Sequence, residues 1–188
     1  MIRPQTLPPG PLSRRFDAAS VRDGAVRVPV EATPAECSAL AVQCGLPGID
    51  ALAADLRVAR NGPDGLHVTG SVRARIRQVC VVSLDEFASD VDEAVDVRFA
   101  PEAEVDALEA ERASRPPQDD EDLPDLPDPI VNGRIDLGSL VAEILVLGLD
   151  PYPRKPGVAF ADPTPAEPEM PEASPFAVLR GLKPDDAG

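Results

Sequence analysis

Aromatic residues are scarce in this sequence. Phe, Trp and Tyr make up 3% of its 188 residues, tryptophan is absent, and Tyr152 is the single tyrosine. A sheet that recognises unpaired bases needs aromatic side chains on which those bases can stack. The composition therefore disfavours sequence-specific base recognition by a stacking sheet.

Candidates for catalysis are also few. His67 is the only histidine, and the sequence predicts no serine or cysteine beside it, so we interpret it as a surface residue. The segments GLPG and NGPDG lack the spacing and the lysine of a phosphate-binding loop. The run DDEDLPD lacks the fixed spacing and the glycine of a calcium loop. We therefore expect no enzyme, no cofactor and no small-molecule substrate; a metal-dependent enzyme ranks third among the hypotheses.

The three cysteines, Cys37, Cys44 and Cys80, contain no C-x-x-C pair. Neither a disulfide framework nor a four-ligand zinc site can be written from them, so we expect no bound metal and a reducing cytoplasm. The N-terminus has no apolar signal region. The longest apolar run, LVAEILVLGL, is interrupted by Glu143 and is too short to span a bilayer. The sequence predicts neither a secreted nor a membrane protein.

Proline and negative charge are abundant, with 23 prolines and a net charge of -15. Residues 101–129 hold 11 acids and 2 arginines, residues 161–188 hold 6 acids and 2 bases, and the remainder holds 16 acids and 14 bases. Acidic, proline-rich tracts usually stay solvated. We predict a flexible arm over residues 1–13 and a folded domain over residues 14–157 with an acidic insertion at about 101–129. A disordered acidic tail is expected over residues 158–188.

Period-two patterns predict three antiparallel strands within residues 53–100, with a turn at NGPDG. In the middle strand, the residues expected to face inward are Leu66, Val68, Val72, Ala74 and Ile76. The intervening arginines then face outward. The next strand carries outward acids at Glu86, Asp90, Asp92 and Asp96. If the two strands form a hairpin, arginines meet acids across it.

Two helices are predicted. Thr33 and Glu36 form a capping box that begins a helix at Pro34, and Gly45 ends it. Cys37 and Cys44 lie on its apolar face and are expected in the core. A turn at Asn132-Gly133 precedes a second helix capped by Asp136, whose apolar stripe comprises Leu137, Leu140, Val141, Ile144, Leu145 and Leu147. The expected fold is α+β: an antiparallel sheet, open or barrel-like, packed against two or three helices.

The outward arginines have two interpretations. In the first, Arg73, Arg75 and Arg77, together with Arg57 and Arg60 on the preceding strand, form a basic surface that contacts RNA phosphates, since a guanidinium can hold two phosphate oxygens. In the second, they belong to a solvated sheet face and pair with the acids of the next strand. The sequence leaves both open.

The run IDLGSLVAEILVLGLDPYP, preceded by an acidic insertion and by a strand-cysteine-strand hairpin that ends in DEAVDVRF, resembles the YceD family, the large ribosomal RNA subunit accumulation proteins. The resemblance covers roughly residues 16–157. It implies a cytoplasmic bacterial protein needed for accumulation of 23S rRNA, through its synthesis, processing or stability. Many relatives carry a C-x-R-C-L motif at the hairpin. Here the motif reads Cys80-Val-Val-Ser-Leu84, so zinc is not expected.

Two function hypotheses follow. The first is a noncatalytic factor that engages pre-rRNA or a ribosomal or assembly protein, with the five arginines as RNA-binding residues. The alternative is an acidic adaptor that escorts or shields a basic partner such as a ribosomal protein. Its hypothetical partner-binding residues are Asp119, Asp120, Glu121, Asp122, Asp136 and Glu143. Glu143 is otherwise interpreted as a solvent-facing helix residue.

Overall fold

The computed structural model describes residues 10–22, 24–114 and 125–159. The strands are β1 (Arg15–Asp17), β2 (Val26–Glu31), β3 (Gly48–Asn61), β4 (Gly65–Val79), β5 (Glu86–Pro101), β6 (Asp128–Ile130) and β7 (Arg134–Asp136). The helices are α1 (Pro34–Cys44), α2 (Glu102–Ala113) and α3 (Leu137–Leu147), and one 3-10 turn spans Ala18–Ser20. The chain divides into two compact units after Pro156, and all of these elements lie in the first.

The main sheet has five strands in the order β2-β3-β4-β5-β6. β2 to β5 are antiparallel neighbours, as the period-two patterns predict. β6 runs parallel to the last three residues of β5, and α2 lies in the connection between these two strands. The predicted α+β class is confirmed, with a mixed sheet. Within the described residues the sheet stays open, because its outer members β2 and β6 do not pair.

One face of the main sheet is buried. The predicted inward residues of β4 are buried, and α1 packs against β3 while α3 packs against β4 and β5. We call this the inner face and the opposite, exposed face the outer face. Gly70, near the middle of β4, has a φ of +151°, and a Cβ there would lie 2.1 Å from the carbonyl oxygen of Asp55. Only glycine allows β3 and β4 to approach this closely.

The predicted helix α1 is confirmed with its caps. Thr33 accepts from the N–H of Glu36, the Glu36 carboxylate accepts from the N–H of Thr33, and Gly45 adopts a left-handed φ of 66°. Cys37 is buried, but Cys44 is only partly covered. The thiol of Cys44 therefore lies at the margin of the core.

A second sheet ties the N-terminal segment to the start of α3. β1 pairs with β7, and Phe16 lies opposite Ile135. Leu12 is fully buried, and Ser13 donates a hydrogen bond to Asp136. The folded unit therefore begins before residue 14, earlier than the predicted boundary. We call these contacts between residues 12–17 and 134–139 the terminal clasp.

Most of the predicted stripe of α3 is buried, since Leu137, Leu140, Val141 and Leu145 all lie in the core. Leu147 is 74% exposed, so its assignment to the stripe is wrong. The end of α3 still lies beside β5, since a Cβ at Gly148 would meet side-chain atoms of Glu93 and Val91, but Leu147 is turned towards solvent.

Candidate interaction surface

The outer face of the main sheet carries charge in stripes. Arg73, Arg75 and Arg77 alternate along β4 and form what we call the arginine stripe. The neighbouring stripe on β5, the acidic stripe, comprises Glu86, Asp90, Asp92 and Asp96. Both stripes are exposed, because none of the helices in the described part of the chain covers this face of the hairpin.

Each arginine of the stripe pairs with an acid of β5. Nε of Arg73 lies 3.3 Å from Asp92, and Nη1 of Arg75 lies 3.0 Å from Asp90. Arg77 bridges two acids, with Nη1 2.9 Å from Glu86 and Nε 3.2 Å from Asp50. The predicted meeting of arginines and acids across the hairpin is confirmed. The arginine stripe is therefore a neutralised surface, whose pairs stay half-exposed and exchangeable.

Arg57 lies on the outer face as expected. It borders a shallow depression with Arg27, Asp55 and Ser71. Nε of Arg27 donates to Asp55 at 2.7 Å, and this hydrogen bond, with the charge of Arg27, lowers the pKa of the Asp55 carboxyl. Among the described residues Arg57 has no ion-pair partner, although its charge also favours ionised Asp55. Arg57 is thus the member of the predicted basic group whose guanidinium is available without displacing an acid.

Arg60 does not belong to this surface. It lies opposite Leu66 in the pairing of β3 with β4, which places it on the inner side of the sheet. Its Nε donates to the carbonyl oxygen of Val21 at 2.8 Å. The predicted grouping of Arg60 with Arg57 is wrong, because two residues three apart on a strand point to opposite faces.

His67 lies on the outer face of β4, in line with the arginine stripe. Its Nε2 is 2.7 Å from Oδ1 of Asp96, on the strand next to its own. The imidazole is thus held against an exposed carboxylate, a partner that the sequence did not reveal. This pair extends the alternation of basic and acidic side chains along the hairpin.

The hypothetical partner-binding acids fall into three groups. Residues 119–122 lie outside the described residues. Glu143 is exposed on α3, as its solvent-facing interpretation predicts. Asp136, in contrast, is occupied within the fold: it accepts from Ser13 Oγ at 2.5 Å, from Arg14 N at 2.7 Å, and from the N–H groups of Gly138 and Ser139.

The ionisation of Asp136 follows from this setting. Burial is the largest influence and opposes the charged form, but the hydrogen bond from Ser13 and those from three backbone N–H groups outweigh it. The pKa of Asp136 is therefore lowered. The carboxylate caps α3 and holds the terminal clasp, and its assignment to a partner surface stays a prediction.

Cys80 lies at the end of β4, within a compact turn. The N–H of Ser83 points at its Sγ at 3.4 Å, and the segment after α3 closes over the turn: Val81 N–H donates to the Pro153 carbonyl at 2.9 Å. Lys155 pairs with Asp85 at 3.2 Å. The thiol is fully buried. The Ser83 side chain, the Ser83 N–H and the Lys155 N–H lower its pKa to about 6 by hydrogen bonding to the thiolate.

The motif position is the one sequence feature that singles out Cys80. No sequence signal placed residues 153–155 against the turn, since that contact depends on the direction in which α3 ends. Among the described residues, no group of three or more histidine, cysteine, aspartate or glutamate side chains is arranged to hold a metal ion.

The fold and this surface define an α+β protein with a charged, uncovered sheet face. The chain belongs to the YceD family, described as large ribosomal RNA subunit accumulation protein, whose sequence model matches residues 68–183. The match begins inside β4 and continues past residue 157. No curated protein and no solved structure matches the chain. The family supports a role in accumulation of the large-subunit ribosomal RNA.

No helix in the described region is long and apolar enough to cross a bilayer.

Proposed function

We propose that this chain is a noncatalytic cytoplasmic factor required for the accumulation of 23S rRNA, acting in its synthesis, processing or stability during assembly of the large ribosomal subunit. Membership of the YceD family is the observation that carries this proposal. The outer face offers exposed charged side chains to a binding partner, with His67 and the stripe arginines paired to neighbouring carboxylates.

In this proposal the outer face contacts pre-rRNA through Arg57 and the arginine stripe. Arg57 is available directly, and the stripe arginines become available by exchanging partners. Exposed ion pairs contribute only about 0.2–1 kcal/mol each, so a phosphate can compete with an aspartate for the same guanidinium. The acids left behind repel a phosphate, so binding of this kind is weak and strongly salt-dependent.

The cellular experiment measures the ratio of 23S to 16S rRNA, with precursor ends mapped, in cells depleted of the protein and complemented with variants. Complementation with the natural sequence is expected to restore 23S selectively. An unchanged ratio on depletion would contradict the proposed function itself.

A charge-exchange variant tests the arginine stripe. Substituting Arg73→Asp, Asp92→Arg, Arg75→Asp and Asp90→Arg keeps the net charge and both ion pairs but reverses the stripes. We expect this variant to fold and to lose association with a 23S precursor transcript. As a control, Arg15→Gln and Arg134→Gln remove exposed arginines away from the outer face. Equal association of the exchanged and natural proteins would remove the stripe from RNA binding.

A second candidate is the acidic adaptor, and one observation favours it. α2 presents a series of exposed acids to solvent: Glu102, Glu104, Asp106 and Glu109. The sequence that follows this helix is acidic as well. Basic proteins would be steered to such a region at low salt.

Removal of residues 118–128 would test the adaptor but would also remove Asp128 from β6. A sharper variant replaces the acids of residues 119–122 by their amides. Loss of a co-purifying basic protein, with 23S precursor binding retained, would support the adaptor. Retention of that partner would contradict it.

A further inference from the structure

β5 is bordered by β6 along only part of its length. β6 pairs with Phe99, Ala100 and Pro101, and the first bond of this parallel ladder uses the carbonyl of Arg98. Within the described parts of the chain, residues 86–97 have a strand partner, β4, on one side only. We call this side the open edge of β5. At about 3.4 Å per residue it spans about 40 Å.

The register identifies which residues direct backbone groups to the open edge. Cys80 N–H donates to the Asp85 carbonyl at 2.9 Å, so these two residues form a hydrogen-bonded pair. Such pairs alternate with non-hydrogen-bonded pairs along an antiparallel ladder. The ladder continues without a bulge to Leu66 opposite Phe99. The residues whose N–H and C=O groups face the open edge are therefore Glu86, Ala88, Asp90, Asp92, Ala94 and Asp96.

The same residues place their side chains on the outer face, so the open edge is acidic. Four of these six residues are acids and none is basic. Residues 86–98 contain no proline, glycine or lysine, which are among the devices that protect edge strands from pairing. The opposite edge strand, β2, does contain Pro29. On β5, negative charge is the one such device.

Negative charge at an edge is selective. Two copies of β5 placed edge to edge would bring acids next to acids, and like charges directly opposite each other destabilise a sheet. A strand with basic residues at alternate positions would instead place cations beside Asp90, Asp92 and Asp96. Asp92 would then lie between Arg73 and an incoming cation.

The inner side of the edge favours apolar residues in the incoming strand. Phe87 and Val97 are partly exposed and point to the inner face beside the open edge. Side chains of a strand alternate between faces, so a partner with basic residues outward has its remaining residues beside Phe87 and Val97. Apolar side chains there would complete the cover of the core margin.

We propose that the open edge of β5 binds an extended segment of a partner protein, with lysine or arginine at every second position and apolar residues between them, as an added sixth strand. Backbone hydrogen bonds supply the affinity and the acids select the charge, as in other cases of strand addition. This inference goes beyond the proposed function, because it holds whether or not the arginine stripe contacts RNA.

The first test uses the full chain and the labelled peptide Lys-Val-Lys-Val-Lys-Val-Lys. Fluorescence anisotropy should show binding, and hydrogen exchange should slow at least about tenfold at the amides of Asp90, Asp92, Ala94 and Asp96. The amides of the odd-numbered β5 residues already bond to β4, so their exchange should change little. The matched peptide Lys-Lys-Lys-Lys-Val-Val-Val should bind more weakly. Equal binding of the two peptides, or no slowing at the open edge, would overturn the proposal.

Ala94→Pro tests the backbone contribution. Proline removes the edge-facing N–H of residue 94, which makes no bond to β4, and its ring crowds an added strand. We expect about tenfold weaker binding of the alternating peptide, whereas Ala94→Thr, which keeps the N–H, should bind within about twofold of the natural chain. Unchanged binding by a folded Ala94→Pro protein would overturn the proposal.

A second variant tests how much the acids of the open edge contribute to peptide binding. It also tests the proposal if Ala94→Pro fails to fold. Asp92→Asn with Asp96→Asn should weaken the alternating peptide about threefold to tenfold at low salt. Unchanged affinity would overturn the proposal. So would slowed exchange at the open edge that is produced by polyuridylate alone, or by a concentration-dependent dimer without peptide.

Discussion

Arg75 and Asp90 face each other directly across β4 and β5, with Nη1 of the arginine 3.0 Å from one carboxylate oxygen and 3.2 Å from the other. The register places them in a non-hydrogen-bonded pair, the type in which facing side chains come closest. A double-mutant cycle with Arg75→Ala and Asp90→Ala should give a coupling energy of about 0.2–1 kcal/mol. The coupling is expected to fall in high salt, because both side chains are more than half exposed. A coupling that is zero at low salt would contradict the pairing.

Asp136→Ala should destabilise the protein by about 2–4 kcal/mol, measured by urea unfolding. The substitution removes the cap of α3 and the acceptor for Ser13 and Arg14. Asp136→Asn keeps a capping oxygen and should cost less. A loss below about 0.5 kcal/mol for the alanine variant would contradict a stabilising role for the clasp.

The difference in unfolding free energy between the natural chain and Asp136→Asn should depend on pH. The pKa of Asp136 is lowered in the folded state, so its charge contributes stability that is fully present above the unfolded value of about 3.9. That contribution is lost as the pH falls through the folded pKa. Unfolding curves at several acidic pH values should therefore converge for the two proteins. Curves that stay parallel would contradict the lowered pKa.

Cys80 should titrate as a thiolate at a pKa of about 6, measured as the difference in thiolate absorbance between the natural chain and Cys80→Ala. Ser83→Ala should raise this pKa, because the Ser83 side chain is the largest cause of the shift. The thiols of Cys37 and Cys44 are expected to titrate above their usual range, since burial raises the pKa of both. A Cys80 midpoint that Ser83→Ala leaves unchanged would contradict this assignment.

Gly70→Ala should destabilise the sheet by about 2–4 kcal/mol. The added Cβ would lie 2.1 Å from the Asp55 carbonyl oxygen, and the backbone of Gly70 has a φ that side chains rarely adopt. Gly10→Ala is the control, because a Cβ at Gly10 meets no atom within 4 Å. Urea midpoints for both variants test the difference, and a Gly70→Ala protein as stable as the control would contradict the close approach.

Local sequence patterns predict much of the fold. The Thr33 cap, the Asn132-Gly133 turn and the alternation along β4 and β5 each act over a few residues, and the structure has all three. The pairing of the arginine stripe with acids is also predictable from the sequence, because a single hairpin turn sets the register of β4 against β5. Each of these features depends on neighbours in the chain.

The remaining features depend on contacts between distant segments. The parallel addition of β6 leaves most of β5 open, but nothing local to β5 indicates where the chain returns. Asp136 has the signature of a cap, and its bond to Ser13 joins residues 123 positions apart. The placement of Arg60, in contrast, can be predicted locally. Arg57 and Arg60 are three residues apart on β3, so their side chains lie on opposite faces.

The terminal clasp has a consequence for biosynthesis. β1 leaves the ribosome early, yet its partner β7 follows more than a hundred residues later, so this pairing has a long loop to close. The hairpin of β4 and β5 can form meanwhile from contiguous sequence. Nascent chains are therefore expected to hold a sheet-containing intermediate with Leu12 and the first turn of α3 uncovered, and chaperone contact in that interval would fall on these apolar residues.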